Sequence, residues 1–152
     1  MASRPTSDKI IQRKYSDFIN SFKANPVSGQ LGTVVNENSV KQAVKNIVLT
    51  NKGERLYKSD FGGDVYRMLF ENVTDQSILL AQAQIRTSLK AYEPRIDLIS
   101  VTINSKDEVS SISTSSERAQ YLDQNALIIN VVYRIINTEQ VQNVNIAVER
   151  LR

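Results

Sequence analysis

The stretch from residue 74 to residue 103, TDQSILLAQAQIRTSLKAYEPRIDLISVTI, decides the fold because a helical pattern changes there to a strand pattern. Thr74 and Asp75 provide a side-chain cap and an acidic first turn for the helix. Pro94 ends the helix because its ring fixes its own φ and disfavours helical geometry at Glu93. We therefore predict a long helix followed by a strand. The apolar helix positions are Ile78, Ala81, Ile85, Leu89 and Tyr92, and the apolar strand positions are Ile99, Val101 and Ile103.

Opposite charges flank the proline at Glu93 and Arg95. Because Pro94 is rigid, both side chains leave the helix in a defined direction. They could pair with each other, pair with other charges in their own fold, or make a bidentate contact with a partner chain. Most charge pairs near helix ends are structural, so the residues alone favour the two intrachain interpretations over an interface.

A second helix is predicted before this stretch. Ser39 and Gln42 have the spacing of a capping box, and Asn51 and Gly53 are suitable residues to close the helix. The chain from Gly53 to residue 63 is expected to form a loop, and residues 64–70 a short helix with an apolar face. The core-facing stripe of the second helix consists of Val40, Ala43, Val44, Ile47 and Val48.

Two more strands are predicted near the C-terminus. Residues 104–125 are polar and serine-rich and are expected to form a loop or protruding ribbon, with a short turn at 117–121. Residues 126–136 are apolar on both faces, which predicts a central strand. The last strand carries Val144, Ile146 and Val148 on one face and amides on the other, as suits a sheet edge. The predicted fold class is α+β, with N-terminal helices packed on a small, mainly antiparallel three-stranded sheet.

The N-terminus carries the charge imbalance of the chain. The net charge is +3, and the first 23 residues hold five Lys or Arg and two Asp. This basic density is too low for a segment that tracks phosphates. Aromatic and apolar residues recur there at helix-like spacing and are interpreted as docking residues, with a frayed tail as the alternative. We expect an N-terminal arm, 1–24, and a single domain, 25–152, that begins with turns around Val34 and Val35. The docking residues are Tyr15, Phe18, Ile19 and Phe22.

The composition limits the chemistry that is available. At 152 residues, 41% hydrophobic and 23% charged, the chain has the size and balance of one globular domain. Cysteine and histidine are absent, which excludes disulfides, thiolate nucleophiles and sulfur-ligated zinc. No apolar signal core or bilayer-length apolar stretch occurs in the sequence, so we expect a soluble protein without a membrane partner.

Acidic residues are the remaining candidates for catalysis. A glycosidase would need two carboxylates flanking a cleft, with the pKa of one raised by apolar surroundings. Each acid considered lies near a Lys or Arg or at a helix boundary, where acids are ordinarily structural. The run Asp60-Phe61-Gly62-Gly63 lacks the Lys and hydroxyl of a nucleotide loop and is interpreted as a tight turn. No cofactor or metal is expected. The acids considered are Glu54, Asp60, Asp64, Glu71 and Glu93.

Several short motifs occur in an order that resembles a known family. Together they resemble the small baseplate-wedge protein family of contractile-tailed bacteriophages, which is often labelled lysozyme-like and is shared with type VI secretion baseplates. The similarity runs from about Tyr15 to the C-terminus, and the arm before Tyr15 and residues 105–116 look like variable additions. The motifs are Lys52-Gly53-Glu54-Arg55, Asp60-Phe61-Gly62, Leu69-Phe70-Glu71-Asn72-Val73-Thr74 and Tyr92-Glu93-Pro94-Arg95-Ile96-Asp97.

The resemblance implies a structural, non-enzymatic part of the virion tail baseplate, assembled in the host bacterial cytoplasm and present in six copies. Glu93, Pro94 and Arg95 would bind the core bundle of the other wedge proteins. The sheet, which resembles the interlocking domain of the tail sheath protein, would template the first sheath ring by strand pairing. Tail tube and hub proteins are further candidate partners, whereas nucleic acid is not. The alternative function is a peptidoglycan-cleaving, lysozyme-like enzyme. The sheath-facing residues would be Val144, Ile146 and Val148.

Overall fold

The computed structural model describes residues 14–71, 74–105 and 126–149. It divides into two compact units, Met1–Ser39 and Val40–Arg152. The predicted boundary after residue 24 falls inside the first unit, between two paired strands. The described elements are β1 (Ser16–Phe18), β2 (Thr33–Val35), α1 (Glu37–Leu49), α2 (Val65–Met68), α3 (Asp75–Tyr92), β3 (Ile96–Ser105), β4 (Leu127–Ile135) and β5 (Val141–Val148).

The first unit contains a small two-stranded antiparallel sheet. β1 pairs with β2, with Ser16 opposite Val35 and Phe18 opposite Thr33. The helix-like spacing of the aromatic residues does not produce a helix, because pairing with a strand about 17 residues later overrides local periodicity. Val34 and Val35 likewise lie in a strand and not in turn material. The side chains of Phe18 and Phe22 are mostly exposed.

The start of α1 differs from its prediction. The helix begins at Glu37, directly after Asn36, whose backbone has a left-handed φ of 51°. Ser39 is therefore inside the first turn, where its hydroxyl donates a 3.0 Å hydrogen bond to Asp17 Oδ2. The capping box predicted at Ser39 is wrong because this hydroxyl binds a distant carboxylate. The helix ends at Leu49, before the residues expected to close it.

α3 begins and ends where the sequence predicts. Thr74 caps its N-terminus by accepting a hydrogen bond from the Ser77 backbone N–H, and the Ser77 hydroxyl accepts one from the Thr74 N–H. At the C-terminus the Glu93 N–H donates to the Leu89 carbonyl, and the chain then turns at Pro94. The buried face of α3 consists of Ala81, Ile85, Ser88 and Leu89.

The larger sheet has the strand order β3-β4-β5 and is antiparallel throughout. β4 is the central strand, as its apolar composition predicts, and its buried and half-buried residues alternate. β3 also contacts α3. Among the described residues, the buried apolar side chains of this sheet are Ile96, Val101, Ile103, Leu127, Ile129, Val131, Tyr133, Ile135, Val144, Ile146 and Val148.

An irregularity interrupts β3 near its start. The register against β4 shifts between Leu98 and Ser100, so the intervening Ile99 is left out of the pairing and is half exposed. Its predicted place on the buried face with Val101 and Ile103 is wrong, because an extra residue in one strand reverses the side-chain alternation beyond it.

The described residues thus form a mixed helix and sheet fold with small antiparallel sheets, and the two-stranded sheet was not predicted. The predicted ribbon with its turn at 117–121, the arm before residue 14 and the chain after residue 149 lie outside the described residues. No helix within the described ranges is long and apolar enough to cross a membrane.

Candidate protein interface

Glu93 and Arg95 pair with each other around Pro94. The Arg95 Nε donates to Glu93 Oε1 at 2.6 Å, and Arg95 Nη2 donates to Glu93 Oε2 at 2.7 Å. The Glu93 side chain is 3% exposed, whereas that of Arg95 is 26% exposed. A bidentate pair of this kind fixes the guanidinium plane as well as its position. The first of the three interpretations left open by the sequence is therefore the arrangement that the structure has.

Backbone hydrogen bonds hold the turn that carries this pair. The Ile96 N–H donates to the Glu93 carbonyl at 3.4 Å, and the Ile136 N–H, just after β4, donates to the Arg95 carbonyl at 3.1 Å. Pro94 itself is exposed. The turn is thus joined to the end of α3 on one side and to the central strand on the other, with Pro94 and the outer part of Arg95 reaching solvent.

The loop between α1 and α2 packs on the C-terminal half of α3. Phe61 is buried, and its ring meets that of Tyr92 edge-on with 4.7 Å between centroids. The Ser88 hydroxyl donates a 2.7 Å hydrogen bond to the Gly62 carbonyl. Gly62 has a φ of 117°, and a Cβ atom there would collide with the Thr50 carbonyl oxygen. The Asp-Phe-Gly-Gly turn is therefore a packed structural turn, in agreement with its interpretation from sequence.

Charged side chains of the same loop lie over these aromatic rings. The Arg55 guanidinium carbon is 3.7 Å from the Phe61 ring centroid, and Lys58 Nζ is 5.7 Å from that of Tyr92. A hydrogen bond from the Tyr92 hydroxyl lowers the pKa of Asp60, and the same bond raises the pKa of Tyr92. A shallow cavity of about 260 Å³ lies beside this pair. The loop is therefore fixed by cation–π and hydrogen-bond contacts as well as by apolar packing.

The three residues predicted to face the tail sheath lie on the buried side of β5. Val144, Ile146 and Val148 are each 2% exposed, so the fold itself covers them. Asn143 and Asn145, between them, are exposed. Among the described strands β5 pairs with β4 alone. The part of β5 that is available to a partner is accordingly the backbone of its outer edge. The three apolar side chains hold the strand in position on the core.

Four of the five acids named as catalytic candidates have donors within the chain. The Glu54 carboxylate accepts a 2.9 Å hydrogen bond from the Asn51 N–H, and Glu71 forms an exposed ion pair with Arg67. Asp60 is bound to Tyr92, Glu93 to Arg95, and Asp64 has a left-handed backbone before α2. Within the described ranges, no three metal-ligating side chains cluster. Of the catalytic candidates, Glu54, Asp60, Glu71 and Glu93 are therefore engaged in contacts that fix the local structure.

Sequence comparison connects the chain with phage baseplates. The model of a family described as "Baseplate wedge protein gp25" matches residues 34–140. The chain is also 33% identical over 96 residues to the baseplate wedge protein gp25 of Enterobacteria phage T4, an alignment that covers 61% of this chain and 70% of that protein. The matched range includes α1, the packed loop, α3 and the Glu93–Arg95 turn.

Comparison of folds finds solved structures that are similar to this chain. A candidate tail lysozyme from Geobacter sulfurreducens aligns with a TM-score of 0.57 and 24% identity, covering 78% of this chain and 96% of that one. A chain of the anti-feeding prophage baseplate aligns with a TM-score of 0.60 and 21% identity, covering 83% and 89%. At such identities the likeness concerns the fold and not the activity. Because the family match spans more than half of its length, this chain belongs to the gp25 family of baseplate wedge proteins.

Proposed function

We propose that this protein is a non-enzymatic structural wedge component of a contractile tail. It binds the core bundle of the other wedge proteins through the turn at residues 93–95 and templates the first sheath ring through the outer edge of β5. The observation that carries the proposal is the family match over residues 34–140. The chain acts in the tail baseplate of the assembled particle.

The geometry of the turn assigns different roles to its residues. Glu93 is buried and holds two donors of Arg95, so it is a positioning residue for the guanidinium. Pro94 and the exposed quarter of Arg95 are the parts that a partner can touch. A guanidinium already fixed in orientation loses little side-chain entropy on binding, which favours a rigid interface.

The sheath contact is of a different physical kind. An edge strand presents unpaired backbone N–H and C=O groups to which another strand can add. β5 has eight residues, and its buried face keeps it in register with β4. That length suffices for strand addition without any rearrangement of the core.

The enzymatic alternative gains no support from the described residues. Glu54, Glu71 and Glu93 are each bound to a donor within the chain, and hydrolysis of a glycoside needs a second acid at a suitable separation. The relative from phage T4 is a baseplate wedge protein by name. The likeness to the candidate tail lysozyme, at 24% identity, is one of fold.

Co-purification tests the wedge contact. Arg95→Glu is co-expressed with the other wedge proteins of the same particle, with Arg67→Glu as the control because Arg67 is an exposed helix cation. We expect Arg95→Glu to be less stable than the wild type but still folded by circular dichroism, and to lose the complex, while Arg67→Glu retains it. Unfolding of Arg95→Glu would instead assign the pair to the stability of the fold. Equal recovery of both variants would contradict the contact. Turbidity loss of purified cell walls with the wild-type protein would contradict the non-enzymatic role.

A further inference from the structure

The loop between α1 and α2 carries two apolar side chains that the fold leaves in solvent. Leu56 is 86% exposed and Tyr57 is 101% exposed. Other residues of the same loop, such as Phe61, are buried. Exposed single apolar residues are common on protein surfaces, but an adjacent Leu-Tyr pair at a loop tip with almost no intrachain cover is the composition of an interface anchor.

The backbone at this tip is in an unfavourable conformation. Tyr57 has a φ of 66°, in the left-handed region that Gly and Asn adopt readily and aromatic residues rarely do. Such a conformation persists only where the surroundings impose it, and it occurs preferentially at functional sites. Because the Tyr57 ring lies in solvent, packing of this ring does not offset the unfavourable backbone conformation.

Contacts on both sides of the tip hold it in place. The Gly53 N–H donates to the Ser59 carbonyl at 3.0 Å, and the Lys58 N–H donates to the Arg55 carbonyl at 3.3 Å, which closes the loop. Arg55 lies on the Phe61 ring, and Phe61 packs on Tyr92, the residue before Glu93. The tip is therefore held in place and is joined through two successive side-chain contacts to Tyr92, which directly precedes the turn proposed to bind the wedge proteins.

Three basic residues lie close to the tip of the loop. Lys52, Arg55 and Lys58 are exposed. The same loop also carries the acids Glu54, Asp60 and Asp64. Arg55 and Lys58 directly flank the apolar pair, so an apolar pocket with carboxylates at its rim complements the charges next to it.

We propose that Leu56 and Tyr57 form a second anchor of the wedge interface, inserting into an apolar, acid-rimmed pocket on the same wedge protein that binds the turn at Pro94 and Arg95. This inference rests on the proposed function, because the partner is the one assigned there. Two rigid anchors bound to one partner fix its orientation as well as its position.

Binding and stability measured together test the second anchor. Tyr57→Gly removes the ring and permits the left-handed φ, so the melting temperature should stay the same or rise while the Kd for the co-expressed wedge complex increases about tenfold or more. Leu56→Ser should weaken binding in the same direction. The control is Leu79→Gln, an exposed apolar residue about 20 Å along α3 from Tyr92, which should bind as the wild type does.

Comparison with Arg95→Glu separates this inference from the proposed function. If Arg95→Glu loses the complex while Tyr57→Gly and Leu56→Ser bind with wild-type Kd, the second anchor is overturned and the wedge contact stands. If all three variants bind normally, both are overturned. Flotation with vesicles of phosphatidylethanolamine and phosphatidylglycerol covers a membrane role: flotation that depends on Tyr57, with the wedge complex intact in Tyr57→Gly, would also overturn the proposal.

Discussion

The carboxylate of Glu93 and the guanidinium of Arg95 are joined by two hydrogen bonds, of 2.6 and 2.7 Å, across a single proline. The acid is buried and the base is partly exposed. Removing the base would leave a charged acceptor without its donor in a site from which water is largely excluded, so the pair contributes to stability in addition to any role at an interface.

Truncation of the base therefore has a predictable effect on stability. We expect Arg95→Ala to lower the free energy of unfolding by about 3 kcal/mol, measured by urea denaturation, since an uncompensated buried carboxylate remains. Arg67→Ala breaks an exposed ion pair with Glu71 and should cost less than about 1 kcal/mol. Equal costs for the two variants would show that burial of Glu93 does not matter.

The hydrogen bond between Asp60 and Tyr92 predicts a pH dependence. It lowers the pKa of Asp60, so its contribution to stability is present above the ordinary Asp pKa and is lost as the pH falls through the lowered value. It raises the pKa of Tyr92, so the contribution is also lost as the pH rises through that value. In Tyr92→Phe the Asp60 pKa, followed by carboxyl carbon NMR, should move upward. Tyr66→Phe is the control and should leave it unchanged.

The packing of α3 predicts that alanine substitutions on its two faces differ in their effect on stability. Leu89 is fully buried and Leu79, on the same helix, is 65% exposed. Leu89→Ala should lower the free energy of unfolding by about 2–5 kcal/mol through lost burial and a residual cavity. Leu79→Ala should change it by less than about 0.5 kcal/mol. Thermal or urea unfolding of the two variants side by side measures the difference, and similar losses would contradict the helix face assigned here.

Local signals explain the parts of the fold that the sequence predicts. Thr74 and Pro94 act within a few residues of themselves, so the limits of α3 are visible without any tertiary information. β4 is recognisable because a run that is apolar on both faces needs cover on both sides. The edge position of β5 follows from its alternation of apolar and amide residues.

Contacts between residues far apart in the sequence explain the predictions that were wrong. Ser39 binds Asp17, 22 residues earlier, and no local rule predicts that such a partner competes with a capping box. Phe18 lies opposite Thr33 of β2, so residues with helical spacing form a strand. The bulge at Ile99 depends on the register against β4. The candidate site was partly visible: the motif at Glu93–Arg95 was found, whereas the left-handed φ of Tyr57 has no sequence signal.

The edge of β5 provides the last prediction. Backbone N–H groups of adjacent residues in a strand point to opposite sides, so one of Asn145→Pro and Ile146→Pro removes a hydrogen bond to β4 and the other removes a donor from the outer edge. Urea denaturation identifies which variant keeps the fold. Asn143→Lys combined with Asn145→Lys is a further variant that leaves the backbone intact and adds charge to the edge strand, which hinders strand addition. Thr138→Lys, in the exposed turn before β5, is its control.

If the outer edge of β5 accepts a sheath strand, the folded edge variants should assemble baseplates without attached sheath in negative-stain micrographs, because the wedge contact at residues 93–95 is untouched. Thr138→Lys should give normal sheathed tails. Normal tails from the folded proline variant and from the double lysine variant would exclude templating by this edge. Loss of baseplates altogether from a folded variant would instead assign β5 to the wedge contact. The free energy of unfolding, measured separately, shows whether the sheet of that variant is still folded.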